Sequence, residues 1–282
     1  MDLLIFDSPA MQKPPVTPDS HIIFDSHAHY DDQAFDSDRE AVLSALPDAG
    51  VCGVINCGVD IRSSQKALAL AKQYPFLWAA VGIHGQEAGR AKPGDLNRLL
   101  PLLDEPRAVA LGEIGLDYHY DDGAPRDVQR ELLERQLQIA VECDLPVILH
   151  DREAHEDMWR LLQKYQPRGV MHCFSGSVEM ARDLVGIGMY IGLGGAVTFK
   201  NARRPIEVAA WVPEDRLLIE TDAPYMTPAP FRGKRNSSAL IPYTAEKIAQ
   251  VRGMTTEQIL RMTKENTERL FGITKCTKKH SF

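Results

Sequence analysis

The sequence predicts a TIM-type (β/α)₈ barrel on three observations: eight short apolar runs, segments of helical periodicity between them, and polar residues capable of chemistry gathered where the runs end. A doubly wound parallel sheet shares the alternation. It is disfavoured because no Gly-x-Gly-x-x-Gly follows the first run, and GLGG (192–195) comes late, where a crowded strand or turn explains it.

The elements follow in order. In HIIFDSH (21–27), Ile22, Ile23 and Phe24 form a short buried strand, and in extended chain His27 and His29 project to one side. DSDREAVLSALPDAG (36–50) has helical spacing. CGVINCGV (52–59) is the second strand, and SSQKALALAKQY (63–74) follows it with Ala and Leu at three- and four-residue intervals, one apolar stripe along a helix. LWAAVGIH (77–84) ends on His84, and AVALGEIG (108–115) carries Glu113. VQRELLERQLQIAVEC (128–143) is helical, and PVILH (146–150) ends on His150. GVMHCF (169–174) holds His172, SVEMARDLVGIG (177–188) is helical, YIGLGG (190–195) is the seventh strand, and LLIETD (217–222) ends on Asp222. The helices after residue 239 close and extend the barrel.

At 282 residues, 44% hydrophobic and 25% charged, the chain can build one large core, and barrels of this kind reach this length as one domain. The expected barrel spans 21–273. Residues 1–20, where Pro14, Pro15 and Pro18 disfavour regular structure, and residues 274–282 are expected to be tails. A formal charge of −7 gives no basic surface to attract nucleic acid from a distance, so an anionic substrate needs local compensation by metal ions or a few arginines. Five cysteines without a Cys-x-x-Cys pair argue against a disulfide framework or a zinc ribbon and for a reducing, cytoplasmic setting. The N-terminal apolar run is too short for a signal peptide or a membrane span.

Imidazole and carboxyl groups in apolar strands are costly unless paired or metal-bound. His27, His29, Glu113, His150, His172 and Asp222 fall at the carboxyl ends of five strands, the end at which barrels build their active sites. Six ligands would saturate one ion and leave no place for water or substrate. Two divalent ions, Mg²⁺, Mn²⁺ or Zn²⁺, about 3.5–4 Å apart and bridged by a carboxylate, fit better. Glu113, in the middle of the set, is the bridging candidate. Two metals meet the needs of phosphodiester hydrolysis, and Asp222 can orient the attacking water and take its proton. Cys173, next to His172, is expected to face the other side of the strand as a packed thiol.

DSHAH, GEIGLDY, ILHDREA, HCFSG, IETDAPY and RGKRN, in this order and spacing, resemble the TatD family of metal-dependent deoxyribonucleases within the amidohydrolase-like barrels. The resemblance runs from about residue 23 to Gly272. It implies that the six residues are the metal ligands and that the activity is phosphodiester hydrolysis on DNA, single-stranded or at 3′ ends. His84 resembles the histidine of the family's Gly-x-His-Pro turn, a candidate substrate contact, although Gly85 replaces the proline and Gln86 a frequent histidine. Arg152 and Arg235 are candidates to hold phosphate through forked guanidinium contacts. Ser237 and Ser238 stand where the family usually has Glu-Pro, a change expected to loosen the loop or alter what it admits. Two other readings stay open. One is a barrel hydrolase cutting an amide, lactone or small phosphoester; the other is a non-catalytic nucleic-acid-binding protein, which the absence of a net basic charge disfavours.

Overall fold

The computed structural model describes residues 21–120 and 123–273, so both expected tails lie outside the described residues. Eight strands form the sheet: β1 (Ile23–Ala28), β2 (Val51–Cys57), β3 (Leu77–Val81), β4 (Ala108–Asp117), β5 (Val147–Arg152), β6 (Gly169–Met171), β7 (Tyr190–Leu193) and β8 (Leu217–Ile219). Each lies parallel to the next in chain order. The ring draws closed at the mouth, where the Asp222 N–H donates to the His27 carbonyl (3.0 Å) and the His29 N–H donates to the Ala223 carbonyl (2.7 Å). This is the predicted barrel.

Around it run α1 (Arg39–Ala45), α2 (Ile61–Gln73), α3 (Asp95–Leu103), α4 (Arg126–Glu142), α5 (His155–Tyr165), α6 (Val178–Gly186), α7 (Arg203–Trp211), α8 (Ile241–Arg252) and α9 (Thr256–Phe271). The helix expected over 36–50 is shorter because Pro47 has no N–H to continue it. A single 3₁₀ turn, Pro47–Ala49, follows instead and ends on Gly50.

Apolar side chains divide into two layers. Ile55, Ala80, Ala110, Ile148, Val170 and Leu218 pack with Phe24 inside the barrel, where Leu270, Phe271 and Ile273 close the floor. Neighbours such as Val54, Ala79, Leu111, Val147 and Leu217 pack outward among the helices. Strict alternation from Leu111 would send Glu113 outward too. Leu111 and Ile114 both belong to the outer layer, so facing reverses between them, where the β4–β5 register shifts, and Glu113 turns inward. The β1–β2 register shifts in the same way between Asp25 and Ala28, just where His27 sits.

Candidate metal centre

Along several strands the inward position changes from apolar to ionisable in a single two-residue step. Ile148 is followed by His150, Val170 by His172 and Leu218 by Glu220. Some expected positions shift slightly. His172 lies one residue past β6, His84 three past β3 and Asp222 three past β8, the last with a left-handed φ of 58°.

The other five expected ligands gather around Glu113. Its Oε2 lies 3.5 Å from His27 Nε2 and 3.4 Å from His29 Nε2. Its Oε1 lies 2.8 Å from His172 Nε2 and 3.1 Å from His150 Nδ1. Asp222 Oδ1 completes the first side, 3.5 Å from His27 Nε2 and 3.4 Å from His29 Nε2. One carboxylate thus presents each oxygen to a separate pair of imidazoles. Three donor sets each close to within 4.8 Å: His27, Glu113 and His172; His27, His29 and Asp222; His84, Glu113 and His150.

The hydrogen bonds behind the imidazoles fix which nitrogen is free. The Cys57 carbonyl can only accept, so His29 donates to it through Nδ1 (2.8 Å) and keeps a lone pair on Nε2. Asp117 receives His150 Nε2 (3.2 Å), leaving Nδ1 to face Glu113. His172 Nδ1 lies 3.4 Å from Glu220 Oε1, an ionic contact without hydrogen-bond alignment. The Nε2 atoms of His27 and His29 stand only 3.0 Å apart. Lone pairs and carboxylate oxygens this close repel one another unless a cation lies among them, so the donor set fits divalent metal.

The ionisation balance points the same way. Burial opposes charge on His29, but Asp222 and Glu113 raise its pKa well above the usual imidazole value. Burial likewise opposes charge on His172, and Glu113 and Glu220 override it. Glu113 is held well below the usual carboxylate range, because the imidazoles around it, His172 first, outweigh its burial. Carboxylates that draw protons onto imidazoles this strongly would be satisfied equally by a divalent cation, with release of those protons.

His84 joins this group, with Nε2 3.6 Å from Glu113 Oε1. Its Nδ1 accepts the Gln86 N–H (3.1 Å), so the ring proton sits on Nε2 as a hydrogen-bond donor. Burial and the neighbouring His150 push its pKa down to about 3, which keeps the ring neutral. The altered turn is intact. A Cβ at Gly85 would lie 2.5 Å from the Gly115 carbonyl oxygen, so a larger residue there requires the backbone to shift. Gln86 donates to Asp117 Oδ2 (2.7 Å), the oxygen that orients His150.

Ser237 and Ser238 tie their loop down rather than loosening it. Ser238 Oγ donates to the buried Asp25 (2.6 Å), its N–H donates to the Tyr30 hydroxyl (2.8 Å), and Ser237 caps a 3₁₀ turn. Arg152 stands at the rim, its Nη1 donating to the Tyr120 hydroxyl (3.2 Å). Arg235 does not join the centre. It forks onto Asp38 (2.7 and 2.6 Å) and donates to the Ala34 carbonyl (2.7 Å). Cys173 lies beyond β6 with φ 44°, so strand parity does not place it. Its thiol stays protonated for a different reason, since burial and the nearby Asp222 and Glu220 carboxylates raise its pKa.

Asp117 and Glu220 were legible but not singled out. Each is an acid inside or directly after an apolar strand, in step with Glu113 and Asp222. Glu220 also accounts for Gly192, where a Cβ would lie 2.6 Å from Glu220 Oε2.

The sequence profile of TatD related DNases matches residues 24–272. A Bacillus subtilis protein described as an uncharacterized metal-dependent hydrolase, YabD, is 42% identical over 89% of this chain and 100% of its own length. The Escherichia coli K12 3′-5′ ssDNA/RNA exonuclease TatD is 34% identical over 89% of this chain and 99% of its own. The crystal structure of YjjV, a TatD homolog from the same species, superposes with a TM-score of 0.85 at 34% identity, covering 90% of this chain and 99% of that one. A TatD family hydrolase from Entamoeba histolytica shares the fold with a TM-score of 0.80 at 22% identity. The chain belongs to the TatD related DNase family of metal-dependent hydrolases.

Proposed function

We propose that this protein removes nucleotides from the 3′ ends of single-stranded DNA by hydrolysis with two divalent ions, Mg²⁺, Mn²⁺ or Zn²⁺. The observation that carries the two-ion reading is Glu113, whose two oxygens face separate pairs of imidazoles. The nucleic-acid substrate is supported by relatives such as the E. coli 3′-5′ ssDNA/RNA exonuclease. His27, His29 and Asp222 would hold one ion, His150 and His172 the other, and Glu113 both. Two ions bound there would neutralise charge on phosphoryl oxygens and lower the pKa of water.

The protein's own groups do the rest. Asp222 orients the attacking water and takes its proton. Burial would raise its pKa, but His29 and His27 lower it, so its carboxylate stays ionised and can accept the hydrogen bond and the proton. His84 Nε2–H donates to a phosphoryl oxygen. Arg152 meets the neighbouring phosphate, whereas Arg235 can do so only by releasing Asp38. The cytoplasmic setting rests on the cysteine pattern, and none of the described helices is long and apolar enough to cross a membrane.

The test is a 5′-labelled single strand offered to chelator-stripped protein with Mg²⁺ or Mn²⁺ restored. Stepwise shortening that a blocked 3′ end prevents is expected. Full turnover in chelator would overturn the metal role. Hydrolysis of a lactone, amide or small phosphoester with no cleavage of any nucleic acid would overturn the nuclease reading.

A further inference from the structure

The described residues expose two large aromatic side chains, Tyr120 (49% exposed) and Tyr225 (55%). The other large exposed apolar residues, Leu100, Val128 and Val141, lie on the outer helices α3 and α4. Both tyrosines sit in loops leaving the carboxyl ends of strands, at the mouth that holds the metal-ligand cluster. Tyr120 follows β4 and Tyr225 follows β8, and strands four apart in a ring of eight stand on opposite sides. The two rings therefore flank Glu113 and its imidazoles from opposite walls.

Neither ring is left loose. The Tyr225 hydroxyl donates to Asp32 Oδ2 (2.9 Å), and its backbone N–H donates to the Asp222 carbonyl (2.8 Å). The Tyr120 hydroxyl accepts from Arg152, whose guanidinium carbon lies 5.2 Å from the ring centroid, and the His119 ring meets Tyr120 edge-on at 5.0 Å. A phenol anchored by its oxygen with much of the residue open to solvent forgoes the burial aromatic rings ordinarily gain. Such a ring is already positioned to stack on a flat partner.

We infer that Tyr225 and Tyr120 are stacking platforms for two unpaired nucleobases, one on each side of the phosphodiester being cut. The inference rests on the nuclease reading and deepens it, because only a single strand can offer its bases to both walls. The charges beside the rings give the strand a direction. Arg152 beside Tyr120 suits the phosphate that continues the chain. The Asp32 carboxylate beside Tyr225 repels a further phosphate and tolerates a terminal nucleoside ending in a hydroxyl. The 3′-terminal base lies on Tyr225 and the penultimate base on Tyr120.

Oligonucleotides carrying an abasic unit at the terminal or the penultimate position test this against Tyr225→Ala and Tyr120→Ala. Each change alone should raise KM on a single strand about tenfold. Tyr225→Ala combined with the terminal abasic unit should still give about tenfold, because both remove one contact; combined with the penultimate unit it should give about a hundredfold. Tyr120→Ala should show the reverse pattern. Tyr225→Phe, which keeps the ring and loses the tie to Asp32, should stay within about threefold of the parent. If the parent cleaves single strands and both tyrosine variants match it, or if every combination multiplies, the platforms are wrong while the nuclease stands. If the parent cleaves no oligonucleotide, the nuclease reading fails first.

Discussion

The two ends of the barrel are built from the same strands and do opposite things. At the floor, Phe24 stacks against Trp78 with centroids 5.5 Å apart, and Leu218, Val170 and Ile148 fill the interior above Leu270 and Phe271. One inward step later the same strands present His150, His172 and Glu220. Apolar contacts at the floor stabilise whatever the solution contains. The mouth gathers carboxylates and imidazoles whose burial is costly on its own and becomes favourable only with a cation or protons among them. Stability and chemistry are thus separated along these strands by about one side-chain layer, and substitutions at the two ends should have different signatures.

The largest effect should follow from Glu113→Gln. The amide keeps the shape and removes the charge that faces both pairs of imidazoles, so at least one bound metal should be lost and turnover should fall at least about 10³-fold. Metal analysis of the folded variant checks this; two ions retained with near-parent turnover would remove Glu113 from the bridging position. Asp222→Asn should cost less, about 10²–10³-fold in turnover, with substrate binding little changed, because the amide can still offer an oxygen to a metal but cannot take a proton. Parent-like turnover in a metal-loaded Asp222→Asn variant would end its role as base.

At the other end, Leu218→Ala should lower stability by about 2–5 kcal/mol, the range for emptying a fully buried aliphatic site. Turnover per folded molecule should hold. Denaturant unfolding alongside activity at low denaturant separates the two. A fall in turnover without loss of stability would mean that floor and mouth are not independent layers.

This separation also governs what could be read from the chain. The eight strands and the six clustered residues were legible because an ionisable group at the end of an apolar run is improbable as packing. The inward turn of His27 and Glu113 was not, because it depends on register shifts in β1 and β4 that leave no mark in strict alternation. Strand ends were overextended for the same class of reason. His172, His84 and Asp222 reach the centre from loops just beyond their strands, held by long-range bonds such as Asp222 N–H to the His27 carbonyl. The turn at Gly85 and the Ser237–Ser238 pair looked like weaknesses in sequence. Their partners, Gly115 and Asp25, are distant in the chain and close only in the fold.

The smallest effect should come from Arg235, which decides whether RGKRN belongs to the chemistry of the mouth or to its scaffolding. Its guanidinium forks onto Asp38 and lies 4.7 Å over the Phe35 ring, so Arg235→Ala should cost about 1 kcal/mol of stability, the scale of a partly exposed pair. The sign with pH follows from Asp38. The Arg235 hydrogen bonds lower its carboxyl pKa against a small opposing effect of burial, so the folded protein holds the proton less tightly than the unfolded chain. The pair's contribution is therefore fully present above the ordinary aspartate pKa of about 4 and is lost as pH falls through the lower folded value. The stability gap between parent and variant should be level from pH 6 to 8 and close on acidification. KM for a single strand, and its dependence on salt, should barely move while Asp38 occupies the fork. A large rise in KM with a shallower salt dependence would instead show that the arginine leaves Asp38 for a phosphate when substrate arrives, and the rim would then belong with the metal centre.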